Sequence, residues 1–108
     1  MGFFKNTAIR IAAKSTAKSL GKYISTPETP PLDAILSWAC TRPSKDSHLI
    51  LIDNLLSSRA MVSKLDLSLS LFYAEMEIEE LDLKENFRNE IKSIFQAEMR
   101  GFKILNKN

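Results

Sequence analysis

Valine occurs once in these 108 residues, at Val62, and there are only three glycines and one cysteine. Sheets draw on β-branched residues and on Gly- or Asn-rich turns, and so small a supply of either argues against a mainly β fold. Cys40 stands alone, which excludes an intrachain disulfide and a cysteine metal cluster and points to a reduced, cytoplasmic setting. No apolar run exceeds about five residues, too short for a transmembrane helix or for the core of a secretory signal. A phosphate-cradling glycine loop is missing, and no carboxylates alternate around a glycine as calcium loops require. What remains is a chain with 44% apolar and 26% charged residues, close to the globular average, so a folded single domain is expected rather than disorder.

Charge is sorted along this chain. The first 24 residues hold Lys5, Arg10, Lys14, Lys18 and Lys22 and not one carboxylate. The segment from Glu75 to Asp82 holds Glu75, Glu77, Glu79, Glu80 and Asp82 and no base. A formal net charge of only +2 hides this polarity, which makes a small protein with two oppositely charged regions. Charge segregation of this kind points to docking through complementary fields.

Hydrophobic periodicity divides the chain. Over residues 3–24, Arg10, Lys14, Lys18 and Lys22 step by four along one helical face. Ile9, Ala12, Ala13, Thr16, Leu20, Tyr23 and Ile24 take the opposite arc, which describes a basic amphipathic helix. Gly21 weakens its last turn by about 1 kcal/mol relative to Ala. Pro27, Pro30 and Pro31 then mark a semi-rigid linker over 25–31, so residues 1–24 are expected as a helix or arm ahead of a core domain at 32–104. Within that core a short helix covers 32–40. A second follows Ser44 as N-cap, with Leu49, Ile52, Leu55 and Leu56 inward.

The stretch 59–81 supports two readings. Leu65, Leu67, Leu69 and Leu71 alternate with polar residues as in a strand, which would make an α+β fold with a hairpin around 48–53 and 64–73. Two helical stripes also run through it, one of Met61, Leu65, Leu69, Phe72 and Met76 and one of Leu67, Leu71, Ala74 and Ile78. A central helix packed on two sides uses both, and the leucine-rich, valine-poor composition favours it. Asp82 and Glu85 suggest a capping box for a last helix carrying Phe87, Ile91, Ile94, Phe95, Met99 and Phe102, with Gly101 as C-cap and a tail at 105–108. The predicted architecture is all-α, a small bundle of four to five helices.

Catalysis is poorly supplied. Cys40 and His48 are the lone thiol and imidazole, with Asp46 or Asp53 as conceivable orienting groups, but no motif surrounds them and a single cysteine beside Trp38 is more often a buried apolar group. No catalytic, cofactor-binding or metal-binding residue is assigned, and neither a cofactor nor a small-molecule substrate is expected. The leading expectation is a non-enzymatic adaptor, inhibitor or assembly factor that binds a protein partner, or a second copy, through the first helix. Phe4, Ile9, Arg10, Lys14, Lys18, Leu20 and Lys22 are the candidate contact residues, and Glu75, Glu77, Glu79, Glu80 and Asp82 a candidate acidic docking patch. Two alternatives use the same cations. A nucleic-acid binder would add the Lys84, Arg88, Lys92 and Arg100 ladder of the last helix. A peripheral membrane protein would lay the first helix on an anionic surface. The plainest alternative is that the apolar arc of that helix packs on its own domain and leaves the lysines in water.

Overall fold

Alternating leucines settle into a helix in this protein. The computed structural model describes residues 2–25, 28–58 and 62–99, with side chains from Lys5 onward, and among them there is no strand. Five α-helices follow in chain order: α1 Gly2–Ile24, α2 Pro31–Cys40, α3 Lys45–Ser57, α4 Lys64–Glu75 and α5 Glu85–Glu98, with a 3₁₀ turn at Glu80–Asp82 between the last two. The all-α expectation holds, and the alternative hairpin around 48–53 and 64–73 is not formed.

Two-sided burial explains α4. Leu65, Leu69 and Phe72 of one stripe are buried, and so are Leu67 and Leu71 of the other, so the helix needs apolar side chains all round. Ser68, also buried, donates its hydroxyl to the Lys64 carbonyl at 2.8 Å and leaves no orphaned donor. Ser63 caps the helix by accepting the Asp66 backbone N–H at 3.0 Å. Pro31 opens α2 at a position where its missing N–H costs nothing. In α5, Phe87, Ile91 and Phe95 recur every four residues on one buried face, and Met99 at the C-cap continues it. The expected capping box does not form, because α5 starts only at Glu85 while Asp82 lies in the preceding 3₁₀ turn. Ser44 does stand at the N-cap of α3, without a side-chain cap bond. Met61, the Gly101 cap, Phe102 and the 105–108 tail lie outside the described residues.

Consecutive helices touch along the chain, from α1 with α2 through to α4 with α5, and α1 closes the ring on α5 while α4 also reaches α2. Trp38 sits inside this ring with no exposure, and Phe72 meets Phe95 at 5.5 Å between ring centres. Helix α1 belongs to that core. Ile9, Ala13, Thr16, Ala17, Leu20 and Ile24 are all buried, a 3.6-residue stripe turned toward α5 and α2. Of the helix or arm expected over residues 1–24, the helix is what forms, packed on α5 and α2, and the proline segment joins two helices that touch each other.

Helix α1 runs parallel to α5, since Arg10 lies 5.1 Å from the Phe87 ring and Gly21 lies beside Glu98. A Cβ on Gly21 would stand 3.2 Å from the Glu98 carbonyl oxygen. That close approach is what the glycine permits. Burial of Ile9 and of Leu20 contributes about 1.5–3 kcal/mol each. The half-exposed Arg10–Glu90 pair that also links the helices contributes about 0–1 kcal/mol. Apolar packing thus holds α1, and the ion pair sets little more than its rotation. Replacing the fully buried Ala17 by leucine should overpack this seam and lower unfolding free energy by about 1–3 kcal/mol in urea or thermal melts. An unchanged melting curve would mean that α1 does not pack there.

Candidate functional site

Packing one side of α1 decides what its other side offers. Ile9 and Leu20, expected as anchors for a partner, are 1% and 0% exposed, so they anchor the helix to its own subunit instead. Arg10 is engaged internally, pairing with Glu90 while its guanidinium lies over Phe87. The Phe4 side chain lies outside the described residues. Lys14, Lys18 and Lys22 are exposed, and among the described residues neither Lys14 nor Lys18 has an ion-pair partner.

Ile11 was not among the expected contact residues, yet it is 67% exposed and, with Lys14, Ser15 and Lys18, lines a shallow depression on the solvent side of α1. The signal for it was present in the sequence. Two residues separate Ile11 from Ile9, about 200° around a helix, so the two cannot share a face once Ile9 is buried. A large aliphatic side chain is thus left in water about one helical turn from Lys14, with Lys18 a further turn along the same face.

The acidic segment is divided in a similar way. Glu75 ends α4 in a network, accepting from the Arg42 guanidinium on both oxygens, with its Oε1 3.2 Å from His48 Nε2. Arg42 also covers the Trp38 ring at 5.0 Å, and the His48 ring stacks on Trp38 at 6.1 Å with a 14° tilt. Burial alone would raise the Glu75 carboxyl, but the hydrogen bonds and charges of Arg42 and His48 together outweigh it and hold the group below its usual 4.5. His48 is 1% exposed while Cys40 is exposed, and no hydrogen bond joins the two among the described residues. Nothing in the sequence announced this network, because its members stand 27 and 33 residues apart in the chain.

Beyond Glu75 the carboxylates face water. Glu77, Glu79, Glu80 and Asp82 are exposed, and Leu81 between them is 82% exposed. Chain reversal here follows a Schellman motif: the Ile78 N–H donates to the Tyr73 carbonyl at 2.9 Å and the Glu77 N–H to the Ala74 carbonyl at 3.0 Å. Its left-handed position, normally glycine, is occupied by Glu77 at φ 57°. A carboxylate is therefore kept at this corner at a backbone cost of about 1–2 kcal/mol.

Behind the acidic turn, Asp66, Tyr73, Glu80, Glu85, Arg88 and Lys92 line a polar cleft between α4 and α5. Burial, and then the Glu80 charge, push the Tyr73 hydroxyl up to about 12, with Arg88 opposing them. Arg88 is half-buried in this cleft and surrounded by acids, so the basic ladder expected on α5 is interrupted. Arg100, its last expected member, lies outside the described residues.

No family model matches this chain, and no curated protein or solved structure matches it either. Among the described residues, no helix is long and apolar enough to cross a membrane.

Two outcomes follow from the acidic region. Because the folded Glu75 pKa lies below 4.5, its contribution to stability is present above that value and lost as pH falls through the folded value. The stability gap between wild type and Glu75→Gln should therefore narrow progressively as pH falls below 4.5, read by urea unfolding at each pH, and a gap constant with pH would contradict the network. Glu77→Gly should raise unfolding free energy by about 0.5–1 kcal/mol, since relief of the left-handed strain exceeds the added entropy of the unfolded chain.

Proposed function

We propose that this bundle is a non-enzymatic interaction protein that docks an acidic macromolecular surface, most naturally that of a protein, through the solvent flank of α1. The observation that carries this reading is Ile11, 67% exposed beside the exposed, unpaired Lys14 and Lys18 on a helix whose opposite face is buried. Burial of that opposite face fixes the cationic flank in position before binding, so little ordering entropy opposes association. An exposed isoleucine beside the cations favours a protein surface over nucleic acid, because phosphate contacts make no use of an apolar side chain. Adaptor, inhibitor and assembly roles all fit such a surface. Lys5 and Lys22, exposed on the same helix, extend the positive field.

Deleting residues 1–24 would remove a core helix, so surface charge reversal is the cleaner test. Wild type and Lys14→Glu/Lys18→Glu should melt alike. Affinity capture from host extract should retain a partner on wild type that the variant loses, with affinity for that partner reduced about tenfold or more. Identical captured sets would contradict the proposal. Duplex DNA, RNA and phosphatidylserine vesicles at two salt concentrations serve as parallel probes. Binding to one of these that depends on both lysines but not on Ile11 would move the function to that class.

A further inference from the structure

The acidic end of the molecule holds the complement of the α1 flank. A shallow groove between α3, α4 and the segment after α4 is lined by Leu51, Ala74, Ile78, Glu79 and Glu80, with Ser70 and Tyr73. Its floor is apolar, with Leu51 and Ile78 half-buried, and its rim carries the exposed carboxylates of Glu79 and Glu80. Glu77, exposed and next to Ile78 in the chain, is a third carboxylate at the corner where glycine would be the easier residue. No cation pairs with these three among the described residues. An occupant of this groove needs an aliphatic side chain with cations about one helical turn apart beside it on the same face. Ile11, Lys14 and Lys18 have that chemistry and that spacing, since residues three and four apart share a helix face.

They cannot reach the groove of their own subunit. Helix α1 packs on α5 and α2 through its buried stripe, so its lysine flank points away from the molecule, while the groove lies on α3 and α4. We propose that the groove receives the α1 flank of a second copy, with Ile11 against Leu51, Ala74 and Ile78 and with Lys14 and Lys18 against Glu77, Glu79 and Glu80. This rests on the reading of α1 given above and names its partner. The two surfaces differ, so the contact is heterologous and passes from head to tail, which yields a ring if the rotation closes and an open filament if it does not. Exposed ion pairs are individually weak and screened by salt. Association is therefore concentration-dependent and reversed by salt.

Sedimentation of the full chain over rising concentration tests this directly. At low salt the average mass should climb with concentration, and high salt should return it to the monomer. Lys14→Glu/Lys18→Glu and Glu79→Lys/Glu80→Lys should each associate about tenfold or more weakly than wild type, the lysine variant with an unchanged melting temperature. An equimolar mixture of the two should regain growth with concentration by alternating, because the intact flank of one meets the intact groove of the other and the two reversed surfaces are complementary as well. The chain carrying all four reversals should regain self-association. Glu77→Gly should associate less while folding more stably, which a purely structural role for Glu77 would not produce. A wild type that stays monomeric throughout, or a mixture that fails to pair, overturns head-to-tail docking. If lysine-dependent capture of another protein persists in that case, the α1 surface still functions and only the choice of partner falls. Self-association indifferent to the lysine reversals would overturn head-to-tail docking, and loss of lysine-dependent capture as well would overturn the α1 reading itself.

Discussion

Small side chains on one face of α1 determine how the rest of the molecule presents itself. Ala13 and Ala17 have no exposure, and Gly21 sits where a Cβ would come within 3.2 Å of the Glu98 carbonyl oxygen. These residues let α1 lie close along α5, while Ile9, Leu20 and Ile24 supply the apolar area that keeps it there. Once that face is committed, helical geometry sends Ile11, Lys14 and Lys18 outward with no freedom to turn in. The cationic flank is a consequence of core packing, held in place before any partner arrives. Trp38 reinforces the arrangement by donating its indole N–H to the Ser19 hydroxyl at 3.1 Å, which ties α2 to the same helix.

A second set of interactions fixes the acidic end. Arg42, at the turn between α2 and α3, and His48, in the first turns of α3, both engage Glu75 at the close of α4. One carboxylate of the acidic run is thereby neutralised inside the subunit. The Schellman turn that follows directs the remaining ones to the surface. The molecule thus keeps its charge polarity in three dimensions, with a cation of the basic segment and a carboxylate of the acidic segment used internally. Arg10 with Glu90 and Glu75 with Arg42 are those internal uses.

Periodicity made much of the fold legible. Four-residue spacing of apolar side chains placed α1, α2, α3 and α5 near their observed limits. The leucine alternation in α4 was ambiguous because a helix buried on two sides and a half-buried strand both place leucines at every second position. Composition decided it correctly. What the sequence could not convey was the partner of each apolar face. An amphipathic helix looks the same whether it covers its own core or another molecule, so the pattern offers Ile9 and Leu20 as contact residues and leaves Ile11 unmarked. The Arg42–Glu75–His48 network was equally invisible, since long-range pairs leave no local signature. Strain at Glu77 likewise requires knowledge of where α4 ends.

Recognition by a docked helix and recognition by a free arm differ in energetics. A free arm would have to order on binding and lose affinity to that cost, whereas a packed α1 presents its lysines at fixed spacing. Native-state hydrogen exchange distinguishes the two most directly. Amides in the middle of α1, around Ala13 to Leu20, should exchange only through global unfolding, with the same opening free energy and denaturant dependence as the α5 core around Ile91 and Phe95. Exchange of the α1 amides near the free-peptide rate, while α5 stays protected, would contradict the account.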